Sequence, residues 1–499
     1  AALSSAPRFS GATRNAAVTK VSGKPCVILP ANLLEIRWDS NTQTEPHRKQ
    51  KPDRRTARKV QLDRTNSSPD FALANSHVRN DPSWKVSPVP RRLQNRHVDI
   101  GDTAPCKTER FHRALLSSAQ GIQVDFDDGN CPTFFNQIKG IFNIYQVVHN
   151  KVSGEITAPP PTHCACIPPI SKVPVLMLRP RAWNMVEHNM MINGREVPGP
   201  LFDYGLLMYH TGRKLYESES GPFFYLSKVV FLVKYEFWLS LFSAQLNLPV
   251  GSIKATVLIE SVLASFEMEE ILYELKEHSA GLNCGIWDYS ASFVNKFGHR
   301  QEFLLPDRSK YVNMEKLFLK SYMDLLVQTC HRRGALATGG MAALLLPENR
   351  ASQEYQNVIE AVTRKRECLP MGHSSAVCMR EISSLFLYLF QAHTKGPNQL
   401  HVIPDVTVSQ SDLLSMPVGG VTLYGLKYNI AVGIQFIDAW FKGVDCAGSY
   451  MKVEDSATAE ISRSQVWQWI RHQVRLEEDN RTVTRSLVQS LVKEVECEL

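Results

Sequence analysis

Ile253-Lys-Ala-Thr-Val-Leu-Ile-Glu260 and Ala280-Gly-Leu-Asn-Cys-Gly-Ile-Trp-Asp288 are two apolar stretches, and each ends in an acidic residue. Short apolar runs of this kind are typical of strands that are buried on both faces. In a parallel α/β barrel the carboxyl ends of the strands form one rim, where functional side chains collect. We therefore expect Glu260 and Asp288 to lie together at that rim, where two carboxylates can hold a hard divalent cation. The alternative is that each acid only caps the helix after its strand.

Further strand candidates recur on both sides of this pair, and helix-like stretches such as Phe266–His278 separate most of them. The candidates lie at 121–128, 174–179, 222–229 and 335–343. Strands that alternate with helices over about 250 residues predict a parallel sheet, and this number of strands favours a TIM (β/α)8 barrel. The pattern changes after residue 400, where Tyr424–Lys442, Ala457–Val474 and Val483–Glu496 are predicted to be helices of a separate C-terminal domain.

The positive charge of the chain is concentrated at its amino end. Residues 1–100 carry 18 Lys and Arg against 8 Asp and Glu, although the net charge of the whole chain is only +7. The densest basic run, 48–59, contains no aromatic residue that could stack on the bases of a single strand. We therefore expect a solvated arm here rather than a nucleic-acid interface.

The longest apolar stretch, 222–243, does not predict a membrane span. Lys228, Lys234 and Glu236 interrupt it, so no uncharged run approaches the roughly 20 residues that a spanning helix needs. We expect a buried strand followed by a helix.

Three ordered blocks of this sequence resemble the malate synthase family, in its shorter, A-type or glyoxysomal-like form. The longest is Gly251–Met341, which contains both opening stretches. The others begin with Arg179-Pro-Arg-Ala-Trp183 and with Glu454-Asp-Ser-Ala-Thr-Ala-Glu-Ile-Ser-Arg463. The resemblance implies a Claisen-type condensation of acetyl-CoA with glyoxylate, after which malyl-CoA is hydrolysed to malate and CoA in the glyoxylate cycle. It also implies a Mg²⁺ cofactor and an active site between a barrel mouth and a helical plug.

The resemblance divides the chain into four regions. A basic N-terminal region would occupy 1–80, and the remainder of a helical clasp 81–115. The catalytic TIM barrel would occupy 116–400, and the helical plug 401–499, which carries the catalytic base. Family habit places such a protein in the peroxisome or glyoxysome, while the mitochondrial matrix and the cytoplasm stay open, as does a homo-oligomer.

The resemblance assigns the metal and the substrate to one set of residues. Glu260 and Asp288 match the family's metal ligands, and Mg²⁺ prefers one or two carboxylates that leave positions for substrate and water. The residues expected to contact substrate are Arg179, Glu260, Gly285, Ile286, Trp287 and Asp288.

The catalytic groups follow from the same resemblance. Asp455 matches the general base that removes a methyl proton from acetyl-CoA, a role that is compatible with capping the next helix. Arg179 matches an arginine that stabilises the enolate oxygen, the alternative being a salt bridge at the barrel rim. Arg181 is the second choice for that role, because Pro180 interrupts the strand. Cys446 is expected to be a buried small thiol without a catalytic role.

Some segments depart from the family pattern. These are Asp125-Phe-Asp-Asp-Gly129, Ser374–Met379, Val421–Gly425 and the residues after Lys228. They help to shape the CoA channel, so their divergence concerns thioester binding more than metal binding. Two alternatives stay open: a related Mg²⁺-dependent acyl-CoA lyase or condensing enzyme, against which the block around Asp455 argues, and a non-catalytic homologue with a binding or scaffold role.

Overall fold

In the computed structural model of this chain, eight parallel strands close into a barrel. The structure describes residues 60–62, 67–72, 75–152, 166–192, 194–228, 239–240, 243–347, 349–365, 375–378, 382–394, 396–444, 447–449 and 452–499. The strands are β1 (Val98–Thr103), β2 (Gly121–Asp125), β3 (Val175–Arg179), β4 (Val186–Ile192), β5 (Arg195–Pro198), β6 (Phe223–Leu226), β7 (Lys254–Ile259), β8 (Ser279–Cys284), β9 (Leu336–Ala342), β10 (Ser375–Cys378), β11 (Ala447–Ser449) and β12 (Lys452–Glu454). Around the barrel the order is β1, β2, β3, β6, β7, β8, β9, β10 and back to β1, which confirms the predicted TIM barrel.

Helices alternate with the barrel strands. Helices also form most of the C-terminal domain, which was expected to be all-helical but contains the antiparallel pair β11 and β12. The described helices are α1 (Ser76–Asn80), α2 (Arg91–Gln94), α3 (Thr108–Leu115), α4 (Phe134–Val148), α5 (Gly199–Leu207), α6 (Arg213–Glu217), α7 (Met268–Glu274), α8 (Trp287–Phe297), α9 (Arg308–Tyr311), α10 (Leu317–Arg332), α11 (Gln353–Lys365), α12 (Ser383–His393), α13 (Gln410–Leu413), α14 (Leu423–Phe441), α15 (Ser456–Arg471) and α16 (Arg485–Glu498). Among them, none combines the length and the apolar character that crossing a membrane requires.

The strands β2, β3, β6, β7 and β8 are buried along their whole length, which agrees with their largely apolar sequences. Met177, Tyr225 and Leu258 belong to the core inside the barrel, whereas Leu178 and Phe224 belong to the core between the strands and the helices. This division follows from the strand geometry, because successive side chains point to opposite faces.

A buried arginine lies inside the barrel, next to the start of β1. Arg96 forms a 2.9 Å ion pair with Asp99 and donates a hydrogen bond to the Tyr225 hydroxyl at 3.3 Å. Its side chain, which is almost fully buried, also donates to Thr338. The amino end of the barrel is thus packed, and the open end is the carboxyl rim.

The segment before the barrel is anchored to the end of α10 by Arg333. Its guanidinium lies 4.0 Å from the centroid of the Trp84 ring and donates to the carbonyl oxygens of Val78, Arg79 and Asp81. A buried cation is favourable here because every side of the group has an acceptor or a ring face.

The C-terminal domain packs on the barrel through polar side chains of α15. Gln465 and Gln468 donate to the carbonyl oxygens of Pro306 and Phe303 at 2.7 and 2.8 Å. The buried Trp469 ring donates from Nε1 to the Leu305 carbonyl at 2.8 Å. These bonds place the amino end of α15 above the barrel mouth.

The helix predictions for this domain are confirmed by α14, α15 and α16, with ends that differ by up to three residues. Two other expectations are wrong. β8 ends at Cys284, so Asp288 lies in the first turn of α8 and not at a strand end. The barrel begins with β1, inside the segment 81–115 that was assigned to the clasp, so its boundary lies before residue 116. The basic run 48–59, Lys234, Glu236 and Cys446 lie outside the described residues.

Candidate active site

A cavity of about 110 Å³ lies between the carboxyl rim of the barrel and the amino end of α15. All the residues predicted for the site line it, and they are Arg179, Glu260, Gly285, Ile286, Trp287, Asp288 and Asp455. Six acidic and two basic side chains line the cavity in the part of the chain that the structure describes. This excess of carboxylates favours the binding of a cation.

Three carboxylates gather at one side of the cavity. Oxygens of Asp128, Glu260 and Asp288 all lie within 4.8 Å of one another. Asp128 and Glu260 are buried and Asp288 is partly exposed, so a bound ion would be reached from the cavity side. Oxygen ligands at this spacing suit a hard divalent cation such as Mg²⁺.

Asp128 is the member of this cluster that was not predicted from the sequence. It lies just after β2, in the acidic run that begins at Asp125. Ser456, the first residue of α15, donates a hydrogen bond to its carboxylate. The run of acids at the end of a strand was a usable signal, because the carboxyl ends of neighbouring parallel strands meet at one rim.

Backbone contacts fix the orientation of Glu260, which follows β7 directly. The backbone N–H of Lys228 donates to Glu260 Oε2 at 2.7 Å. A Cβ atom on Gly285 would lie 3.3 Å from Glu260 Cγ, so glycine gives the glutamate room. The Tyr322 hydroxyl donates to the carbonyl oxygen of Ile259 at 2.6 Å and lies 3.3 Å from the carbonyl oxygen of Gly285. Tyr322 thus joins the ends of β7 and β8.

Asp288 reaches the cluster from a helix. It belongs to the first turn of α8, where the positive end of the helix dipole favours a carboxylate. Burial and then the neighbouring Glu260 raise the pKa of Asp288, against the opposing effect of Lys228. The turn Gly285–Ile286 between β8 and α8 thus carries the acid four residues past the strand end.

Arg179, the last residue of β3, lies under the acidic cluster. Its guanidinium donates to Asp125 at 3.1 Å, to Asp127 at 3.3 Å and, at short range, to Asp128. Nη2 is also 3.7 Å from Glu260 Oε1. Burial lowers the pKa of the guanidinium, but the surrounding carboxylates outweigh it and raise that pKa well above its ordinary value. Arg179 is therefore a permanent positive charge at the floor of the cavity.

Arg181 has a different environment. It pairs with Asp203 at 2.9 Å and with Glu187 at 3.0 Å, and its guanidinium lies over the Phe202 ring. It is absent from the cavity lining, and its hydrogen bonds hold α5 and β4 beside the barrel. The second-choice arginine is a packing residue.

Lys228 adds a second cation at the cluster. Its Nζ lies 2.7 Å from Asp128, 3.1 Å from Asp127 and 3.6 Å from Asp288. Its φ of 52° is in the left-handed region, which a lysine occupies only when the surrounding structure holds it there. This backbone conformation lets the N–H of Lys228 face Glu260 while its side chain reaches the aspartates.

Asp455 approaches the cluster from the C-terminal domain. It caps α15, with Oδ1 accepting from the Thr458 N–H at 2.9 Å and from the Thr458 hydroxyl at 3.1 Å. Burial, followed by the nearby Asp128 carboxylate, raises the pKa of Asp455 to about 7. The capping interpretation is confirmed. The same side chain faces the cavity, and its role as a base stays a prediction.

Asp102 is a further acid that sequence reasoning missed. It lies in β1 with a φ of 46°, it is buried, and it lines the cavity. Its Oδ2 has no hydrogen-bond partner among the described residues. Burial and then Asp455 raise its pKa well above the ordinary value. A strained residue with an unpaired buried oxygen inside a cleft is a feature of functional sites.

Two family models and several known proteins are similar to this chain. Residues 175–416 match the model of the malate synthase TIM barrel domain, and residues 420–498 match that of the malate synthase C-terminal domain. Malate synthase of Myxococcus xanthus is 41% identical over 431 residues, which cover 85% of this chain and 78% of that protein. The glyoxysomal malate synthase of Candida tropicalis is 34% identical, with 85% and 78% covered. A solved magnesium and glyoxylate complex of Haloferax volcanii malate synthase matches with a TM-score of 0.44 and 13% identity, covering 80% of this chain and 97% of that one.

Proposed function

The chain belongs to the malate synthase family, and on that premise we propose that it joins acetyl-CoA to glyoxylate and releases malate and CoA. The observation that carries the proposal is the convergence of three features in one cavity. These are a cluster of three carboxylates, a buried guanidinium, and a carboxylate of raised pKa from the other domain. Such a condensation requires a site that binds the aldehyde substrate, a positive charge beside it and a base opposite.

The aldehyde substrate would bind at the carboxylate cluster. Asp128, Glu260 and Asp288 would hold Mg²⁺, for which their closely spaced oxygens are suitable ligands. When bound, the ion supplies Lewis-acid polarisation of the glyoxylate aldehyde and a counter-charge for its carboxylate.

Asp455 is the proposed base. Thr458 holds its Oδ1, so we assign the proton transfer to Oδ2. A methyl C–H bond of acetyl-CoA breaks, the proton moves to Oδ2, and the electron pair forms the enolate. The enolate carbon then forms the new C–C bond to the aldehyde carbon of glyoxylate, the π pair of the aldehyde moves to its oxygen, and that oxygen takes up a proton to become the hydroxyl of malyl-CoA. A carboxylate whose pKa is near 7 is a stronger base than an ordinary aspartate and is still ionised to a useful extent at neutral pH.

Arg179 would stabilise the negative charge that develops on the substrate oxygens. It is buried and fixed by several hydrogen bonds, so it needs no reorganisation as charge appears. In the last step, water attacks the thioester carbonyl of malyl-CoA, the C–S bond breaks, and CoA leaves as the thiol.

The alternative of a related lyase is disfavoured by the C-terminal domain, because this domain supplies Asp455 to the cavity. The segment Val421–Gly425, which departs from the family pattern, has a structural role. Thr422 caps α14 by accepting from the Gly425 N–H at 2.8 Å, and its hydroxyl donates to Asp307. The segment lies outside the lining of this cavity, so its divergence does not change the side chains that are proposed to act there. Likeness to the Candida tropicalis protein supports a peroxisomal or glyoxysomal location.

Release of the CoA thiol tests the proposal. The full chain is mixed with acetyl-CoA, and free thiol is followed with and without glyoxylate, and with and without Mg²⁺. We expect release only when both are present. Thiol release that does not depend on glyoxylate would indicate a thioesterase or lyase, and no release from folded protein would indicate the non-catalytic alternative.

A further inference from the structure

We propose that Arg308 is a positioning residue, which aligns the amino end of α15 on the barrel so that Asp455 faces the carboxylate cluster. The inference rests on the proposed function, because it explains how a base from one domain is held above a metal site in the other. Arg308 begins α9 on the barrel side, it is 4% exposed, and it lines the cavity wall.

The guanidinium of Arg308 lies between aromatic rings from the two domains. It is 4.9 Å from the ring centroid of Trp287, on the barrel, and 4.9 Å from that of Tyr428, on α14. A cation at this distance from a ring face is stabilised by the ring quadrupole, and more strongly when water is excluded.

The edge of the same guanidinium forms hydrogen bonds to the C-terminal domain. Nε donates to Asn429 Oδ1 at 3.1 Å, and Nη2 donates to Ser462 Oγ at 2.9 Å. Asn429 belongs to α14 and Ser462 to α15, so one side chain of the barrel joins two helices of the other domain. A planar fork of donors is needed for this arrangement, and lysine does not have one.

The contacts of Arg308 reach the neighbours of two proposed site residues, Asp288 and Asp455. Trp287 precedes Asp288 in the chain. On the other side, the Tyr428 hydroxyl donates to Glu454 Oε1 at 2.6 Å, and Glu454 precedes Asp455. A path of direct contacts therefore runs from the carboxylate cluster through Arg308 to the base.

Other bonds hold the body of α15, so loss of Arg308 need not undock the domain. Gln465, Gln468 and Trp469 keep their hydrogen bonds to the backbone of the barrel. What changes is the alignment of the end that carries Asp455. A displacement of about 1 Å in a catalytic group can cost about 100-fold in rate.

The test separates turnover from substrate binding in Arg308→Gln, Arg308→Lys, Tyr428→Phe and the Arg308→Gln/Tyr428→Phe double variant. For Arg308→Gln we expect kcat to fall about 10- to 100-fold, with KM for glyoxylate within about twofold of the parent value. Arg308→Lys should recover little of the loss. Tyr428→Phe, which deletes one hydroxyl, should lower kcat without affecting folding. The double variant should be no slower than Arg308→Gln, because both changes break one path.

Arg471→Gln is the matched control. Arg471 is also an arginine of this domain that lies over a tryptophan ring, 5.6 Å from the centroid of Trp467, but it is not part of the cavity lining. The kcat of Arg471→Gln should equal that of the parent. If the parent turns over, two results would overturn this inference and leave the proposed function standing. One is a kcat for Arg308→Gln equal to that of Arg471→Gln. The other is a kcat for the double variant that is lowered by the product of the two single effects. Absence of glyoxylate-dependent release from the parent overturns the proposed function, and the inference with it.

Discussion

At the scale of single residues, the site depends on how burial and neighbouring charges shift the pKa values of its carboxylates. Asp128 is buried and Asp455 is half-buried. The two carboxylates lie close to each other, but their pKa values move in opposite directions. The pKa of Asp455 is raised by burial and by Asp128. Burial also opposes ionisation of Asp128, but Lys228 and Arg179 lower its pKa far below the ordinary value. Asp128 therefore stays an anion, which suits a metal ligand, and Asp455 has the raised pKa that its proposed role as a base requires.

Asp455→Asn tests the assignment of the base. The amide keeps the hydrogen-bond acceptor for Thr458 but cannot take a proton from a methyl group. We expect turnover to fall by at least about 10²-fold, which is the lower contribution of a general base. Binding of glyoxylate in the presence of Mg²⁺, measured by calorimetry, should be retained. Normal turnover in this variant would refute the assignment.

Asp128→Asn tests the proposed third metal ligand, which was not predicted from the sequence. Loss of one anionic oxygen from the cluster should weaken Mg²⁺ binding by about 10-fold or more, since divalent ions are held mainly by carboxylate charge. The measurement is the Mg²⁺ concentration that gives half of the maximal rate. Asp438→Asn, which changes an exposed acid on α14, is the control and should leave that concentration unchanged. An unchanged value in Asp128→Asn would remove this residue from the metal site.

The pH dependence of kcat follows from the raised pKa of Asp455, which is about 7. The base acts only when it is deprotonated, so the rate should fall as the pH drops through its pKa. A bound cation adds positive charge nearby and lowers that pKa, so the inflection should lie between the ordinary aspartate value of about 4 and about 7. A rate that stays constant from pH 7 to pH 4 in protein that remains folded would contradict this.

At the scale of elements, the barrel strands show why sequence patterns located most of the fold but missed some boundaries. β7 is a continuous apolar run with one acid after it, and its prediction is correct. β1, Val98-Asp-Ile-Gly-Asp-Thr103, carries aspartates that contact Arg96 inside the barrel or line the cavity, so its polar pattern does not look like a buried strand. The end of β8 was misplaced because Gly285–Trp287 continues the apolar run after the backbone has turned.

Gly281→Ala tests the close packing of β8 on β9. Gly281 has a φ of 129°, and a Cβ atom there would overlap the carbonyl oxygen of Leu336. We expect a loss of at least about 1–3 kcal/mol in the free energy of unfolding from the backbone conformation alone. Gly433→Ala is the matched control, because this glycine lies within α14 with open space around it and alanine there should stabilise by up to about 1 kcal/mol. Chemical denaturation that ranks the two variants in the reverse order would contradict the packing described.

At the scale of the whole molecule, the sequence predicted many of the residues that line the site, but it predicted few of the contacts between them. The barrel and the C-terminal helices were predicted from apolar runs and family resemblance, and the seven residues predicted for the site all line one cavity. Asp128 was missed although the acidic run after its strand was a usable signal. Asp102 and Arg308 were not predicted, because their positions at the cavity depend on contacts between segments that are distant in the chain. Such contacts depend on how the two domains dock, and no periodicity in the sequence reports on that.

The central claim is that two domains of this chain form one condensing site, and glyoxylate-dependent release of CoA tests it most directly. The full chain is assayed with acetyl-CoA and Mg²⁺, beside Asp455→Asn at equal concentration of folded protein. We predict thiol release from the parent that requires glyoxylate and is nearly absent in the variant. Equal release from both proteins, or release from the parent without glyoxylate, would contradict the account.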